Sequence, residues 1–137
     1  MDQSLTDLFT EYEKAFSTFH NEAVAKFYAD EFMAAGPSGT AVFKNDEAFY
    51  KGLEQSGEGY RQMGMHSAQV LGLNETPFGS DYTMVTVHYG AKFHKTGDRL
   101  IEFDLSYLVS KVGSEPKIVL FISHQDEQKT LHELGLM

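Results

Sequence analysis

The sequence predicts an α+β domain, helices first and then a largely antiparallel sheet, and three observations carry that reading. Leu5, Leu8, Phe9, Tyr12, Phe16 and Phe19 recur at three- and four-residue spacing, which makes one apolar stripe along a helix. Residues 81–126 alternate apolar and polar side chains through three successive stretches, the period of a half-buried strand. The loops between those stretches, 94–98 and 112–116, contain Gly97, Gly113 and Pro116, the residues that hairpin turns require.

Taken in order, Ser4 is placed to cap the first helix, with Asp7 near its positive end. The stripe is interrupted at His20 and Asn21, and Asn21 caps a second, short helix expected through Ala23, Val24, Phe27 and Tyr28. Residues 32–35 and 40–43 read as short strands about a turn holding Gly36, Pro37 and Gly39. Asn45 and Asp46 cap a third helix carrying Ala48, Phe49 and Leu53. Gly52, Gly57 and Gly59 weaken it, each by about 1 kcal/mol relative to Ala, so it is expected to end or kink near Ser56.

Residues 65–76 read as a strand whose facing the alternation leaves open, closed by Pro77 and Gly79. In the strand 82–94, Val85, Val87, Tyr89, Ala91 and Phe93 share one face, and Thr86, His88, Gly90 and Lys92 the other. The strand 99–111 sets Ile101, Phe103, Leu105, Tyr107 and Val109 against Glu102, Asp104, Ser106 and Ser110. The strand 117–126 puts Ile118, Leu120 and Ile122 on one face together with His124. Asp126 caps a final helix through Leu131 and Leu134 that stops at Gly135. A sheet of four to six strands with one apolar face must be covered, and the N-terminal helices are the expected cover.

At 137 residues, 42% of them hydrophobic and 13% aromatic, the chain reads as a single domain over residues 1–137 with a sizeable core. Without cysteine it has no disulfide, thiolate metal site or cysteine nucleophile. The net charge of −9, with no offsetting Lys/Arg cluster, argues against nucleic acid and against anionic membrane surfaces. The N-terminal residues lack the basic and apolar regions of a signal peptide, and no apolar run is long enough to span a bilayer, so a cytoplasmic location is expected.

Tyr12, the break at His20 and Asn21, the run Phe27, Tyr28, Ala29, Asp30 and the turn Pro37 to Gly39 fall without a gap in one order. That order resembles the ketosteroid-isomerase-like members of the nuclear-transport-factor-2-like superfamily. The closing strand into Asp126 and the ending Leu134, Gly135, Leu136 are similar to its SnoaL-like members. The resemblance implies a curved mixed or antiparallel sheet wrapped around the helices as a cone, a cystatin-like fold. It also implies an internal apolar pocket and, usually, a homodimer. The isomerase's own chemistry is largely missing. Gly36 stands where the carboxylate base would precede Pro37, no carboxyl occupies the acid's position near Tyr107 and Leu108, and Tyr12 alone survives.

Among candidate site residues, His124 has the parity of three aliphatic residues and is expected to point to the buried side. There it fits either a general acid/base or a rim histidine bonded to a backbone carbonyl or to Asp126. Asp126 fits an orienting carboxylate or the cap of the last helix; Asp30 fits an acid/base role or a turn. Tyr12 is the candidate oxyanion donor, expected to share one cavity with His124. Tyr28, Met63, Tyr89, Phe103 and Tyr107 are candidate pocket linings, and each fits plain core packing as well. His88 and His94 share a face but lie about 20 Å apart along the strand, and with no metal-binding motif in the chain no metal is expected.

These residues lead to a small-molecule-binding SnoaL-like domain. If it is an enzyme, it would perform proton transfer (isomerisation, dehydration or cyclisation) on an apolar carbonyl compound without a cofactor. The other reading is a non-catalytic dimerisation or protein-interaction module. A deep open pocket with converging polar groups would favour the first, and a closed cone the second. Val119 and Phe121 are the expected apolar contacts of a homodimer through the uncovered sheet face, with Thr86, His88, Glu102, Asp104 and Ser106 as its polar rim.

Overall fold

The computed structural model describes residues 3–17, 21–37 and 39–136. Its elements run α1 (Gln3–Ser17), α2 (Asn21–Ala25), β1 (Tyr28–Gly36), β2 (Gly39–Lys44), α3 (Glu47–Gln62) and β3 (Met65–Phe78). After these come β4 (Tyr82–Phe93), a 3-10 turn (His94–Thr96), β5 (Ile101–Ser110), β6 (Lys117–Ser123) and α4 (Glu127–Glu133). The six strands form one curved sheet in the order β2-β1-β6-β5-β4-β3. Every neighbouring pair is antiparallel except β1 and β6, so the sheet is mixed.

The first helix buries the stripe the periodicity predicts: Leu5, Leu8, Phe9, Tyr12 and Ala15 are all buried. The side chain of Phe16 and the whole of Phe19 lie outside the described residues. Because α1 already begins at Gln3, Ser4 is inside the helix rather than its cap. Against the stripe pack Val85 and Val87 of β4, Tyr107 and Val109 of β5 and Ile118 of β6, all buried in one cluster. The faces read for β4 and β5 are therefore the observed ones.

Three further expectations change. The second helix stops at Ala25, and Tyr28 opens a strand, because the Phe27 carbonyl takes the Ile118 amide (2.8 Å) and Tyr28 pairs with Ile118. The third helix runs through Ser56 to Gln62. Asp46 caps its start by accepting the Phe49 amide at 3.2 Å, and it stops where Gly64 adopts φ +81°, the left-handed conformation that suits a glycine after a helix end. Its interior glycines cost propensity, but Phe49 and Leu53 pack on the core, and tertiary burial outweighs that cost.

The third change concerns β6. Val109 pairs with Ile118 while Leu108 pairs with Leu120, so Val119 is an extra residue in the ladder. Such a bulge reverses the parity beyond it. Ile118 faces the helices, but Leu120 and Ile122 face away, and Phe121 turns inward to stand 6.2 Å from both Tyr28 and Tyr107, centroid to centroid. Cover for the apolar face also comes from the C-terminus, where Leu131, Leu134 and Leu136 join Phe93, Ile101 and Phe103 in a second cluster. Among the described residues no helix is long and apolar enough to cross a membrane.

Candidate functional sites on the two faces of the sheet

The covered face holds an aromatic compartment with four hydroxyls. Tyr12 of α1 and Tyr28 of β1 share a hydrogen bond of 2.8 Å, and Tyr89 of β4 and Tyr107 of β5 share one of 2.9 Å. Phe9 lies 5.1 Å from Tyr107, Phe27 5.7 Å from Tyr12 and Phe49 5.5 Å from Tyr28, ring centre to ring centre. Tyr12, Tyr28 and Tyr107 are only 6%, 6% and 3% exposed, so these rings are packed in the interior with their hydroxyls bonded in pairs.

Burial raises the Tyr28 and Tyr107 phenols well above the usual range, and the neighbouring phenols add to it. Both groups therefore remain neutral, donating and accepting hydrogen bonds, at any ordinary pH. The sign for stability follows: above about pH 10 unfolded tyrosines lose protons that the folded ones keep, so stability falls as pH rises. Denaturant melts from pH 8 to 11 should show this alkaline loss in the native protein and a shallower one in Tyr107→Phe; an equal slope would assign the loss to other groups.

The candidate pocket residues divide. Tyr28, Tyr89 and Tyr107 belong with Tyr12, whereas Phe103 and Met63 belong to the second cluster under α4. Glu75, passed over in the sequence because the facing of its strand was open, pairs with Val85 and so lies on the covered face, its Oε1 shielded from solvent. Glu13 of α1 accepts the Val70 amide at 3.0 Å, which ties the helix to β3. Only strand register could have placed either carboxylate.

His124 is not in this compartment. It follows the end of β6, and the reversed parity brings its Nε2 within 2.8 Å of Ser106 Oγ, which in turn lies 2.9 Å from Thr86 Oγ1. Thr86 and Ser106 alternate with the inward Val85, Val87 and Tyr107, so His124 sits on the outer face. Tyr12 and His124 are separated by the sheet, which overturns the expectation of a shared cavity. Asp126 caps α4, its carboxylate accepting the Lys129 amide at 3.0 Å.

Asp30 is exposed and lines a cleft of about 450 Å³ between α2, the start of α3 and the β5–β6 connection, together with Tyr28, Asn45, Tyr50, Glu115 and Lys117. Asn45 organises that corner: its Nδ2 donates to the carbonyls of Ala25 (2.8 Å) and Tyr28 (3.1 Å), and its amide to that of Asp30 (2.8 Å). Asp30 and Tyr12 thus belong to different places.

The outer face has its own order. Met84, Leu108, Leu120, Met33 and Val42 stand in register across five strands, and Ile122 and Ala35 continue the next row. Beside this apolar band, His88 carries a carboxylate on each ring nitrogen: Asp104 on Nδ1 at 2.6 Å and Glu102 on Nε2 at 2.9 Å. The ring's hydrogen bonds to Glu102 and then to Asp104, which accept them, raise the His88 pKa. Phe121, expected on this face, is instead in the core. Among the described residues no group of three or more His, Asp or Glu is arranged to hold a metal ion.

An open, curved, six-stranded mixed sheet with helices over its concave face is a cystatin-like α+β fold. The sequence matches the NTF2-like protein (DUF6841) family over residues 2–126, and the chain belongs to that family. A comparison with curated proteins finds no match. Among solved structures, an NTF2-like protein from Novosphingobium aromaticivorans superposes with a TM-score of 0.71 at 12% identity, covering 96% of this chain and 86% of that one. A candidate scytalone dehydratase from the same organism gives 0.66 at 17% identity, covering 88% and 80%. A candidate calcium/calmodulin dependent protein kinase II association domain from Xanthomonas campestris gives 0.65 at 13% identity, covering 88% and 84%. At such identities the likeness concerns the fold.

Proposed function

We propose that this chain is a self-associating, non-catalytic domain, its outer sheet face docked against the same face of a second copy. The observation that carries this reading is the apolar band Met84, Leu108, Leu120, Met33, Val42, which no described helix covers. Five strands in register make it about 19 Å wide. A band running straight across a sheet is self-complementary under a two-fold axis lying in the interface, the commonest symmetry of small oligomers. A second copy suits it better than a charged partner, because the band itself holds no charged residue. The buried phenols of the covered face support the same reading, since their hydroxyls already bond one another. One of the folds that superposes is named for association, which is consistent with this role.

Light scattering at tens of micromolar should report twice the chain's 15.4 kDa. A folded monomer at that concentration overturns the proposal.

The four phenols favour a second reading, in which an apolar carbonyl compound enters the covered compartment and takes hydrogen bonds from Tyr12 and its neighbours. Native mass spectrometry of the purified protein separates the two, because a retained small molecule supports this reading and a bare dimer the first.

A further inference from the structure

We propose that His88, held between Asp104 and Glu102, makes self-association through the outer face weaken as pH rises. The inference rests on the association reading above and concerns the regulation of that same surface.

Both ring nitrogens of His88 meet a carboxylate oxygen, at 2.6 and 2.9 Å. Two donated bonds need two N–H groups, and only the imidazolium has both. Deprotonated, the ring keeps one bond and turns a lone pair toward the other carboxylate. The cluster then changes from one net negative charge to two.

Its place makes that change matter. Along β4, His88 is four residues from Met84 in the band, about 13 Å, and β4 is two strands from Leu120 at the band's centre, so His88 lies roughly 16 Å from that centre and Asp104 roughly 14 Å. An interface of standard size covers about 800 Å² on each partner, a disc of radius roughly 16 Å. Docking centred on the band therefore brings His88 and Asp104 to its rim. Carboxylates moved out of water without their counter-ion oppose docking, and with the imidazolium between them they oppose it less.

The elements packed around the ring present these groups among the described residues. From β5 it meets Glu102 and Asp104; from β3 its register neighbour is Gly72, flanked on that face by Asn74. Lys92 lies on the same face of β4 beyond Gly90, four residues or about 13 Å further on. From the end of β6, His124 gives its amide to the Asp104 carbonyl and its ring to Ser106, while Gln125 accepts the Asp104 amide.

The pairing raises the His88 pKa, so its contribution is complete on the acid side of about pH 6.5 and is lost as pH climbs through the raised value. Dissociation constants measured by sedimentation equilibrium at pH 6.0, 7.0 and 8.5, at fixed low ionic strength, should rise by roughly fivefold or more over that range. In His88→Gln the rise should vanish. The double variant Glu102→Gln/Asp104→Asn should associate tightly and without pH dependence, and it keeps the test alive if His88→Gln fails to fold. A pH-independent dimer, or a pH step that persists in His88→Gln, overturns this inference and leaves the association reading standing. A folded monomer at every pH overturns both.

Discussion

Phe9→Ala should lower stability by about 3–5 kcal/mol, the range for truncating a fully buried aromatic. Phe9 has no exposed surface and stands between α1 and the sheet, its ring 6.1 Å from Tyr12 and 5.1 Å from Tyr107. Removing it opens a void at the point where the first helix, the central strands and the phenol pairs meet. The two rings beside it are held by their own neighbours and hydroxyl bonds, so the site collapses poorly and the cost falls toward the upper end. A domain of this size holds about 5–15 kcal/mol in total, so a large share would be gone. Thermal unfolding followed by circular dichroism should shift down by roughly 10–15 °C. Gln55→Ala, at an exposed position of α3, is the control and should move the transition by no more than about 0.5 kcal/mol. If the two variants melted together, α1 would not be seated on the sheet as described.

Much of this fold was legible because its elements obey their periods. The spacing of Leu5, Leu8, Phe9 and Tyr12 marks the buried side of α1, and strict alternation marks the buried sides of β4 and β5. The error in β6 arose from the same rule. One unmarked extra residue, Val119, reverses every side chain after it, and nothing in Ile118, Val119, Leu120 and Phe121 distinguishes a bulge from regular strand. His124 and Phe121 therefore exchanged faces relative to the expectation, and with them went the proposed Tyr12–His124 site. The parallel pairing of β1 with β6 was equally hidden, since it joins segments some ninety residues apart without a connecting hairpin.

The phenol compartment was half visible. Each tyrosine lay on a recognisable apolar face, but that their hydroxyls meet in pairs depends on how two strands and a helix converge. The His88 cluster shows the same limit from the other side. His88, Glu102 and Asp104 were legible as one polar face, while the bonds among them depend on the β4–β5 register that sets His88 opposite Asp104.

Leu120→Lys should convert the protein to a folded monomer. Leu120 lies at the middle of the outer band, between Leu108 of β5 and Met33 of β1, and its side chain is partly exposed in the single chain. A lysine there can reach water in the monomer, its stem lying along the neighbouring apolar surface, so the fold should tolerate it. In the dimer the two-fold axis makes the substitution count twice, and two ammonium groups would be shut into an apolar interface with no carboxylate in the band to receive them. Even after relaxation such burial costs several kcal/mol per ion, enough to weaken association by more than about a thousandfold. Gln55→Lys, which makes the same charge change at an exposed position of α3, should leave the dimer intact. Sedimentation velocity of the two variants at the same concentration decides the matter. A Leu120→Lys protein that still sediments as a dimer would show that the outer band is not the surface through which the copies meet.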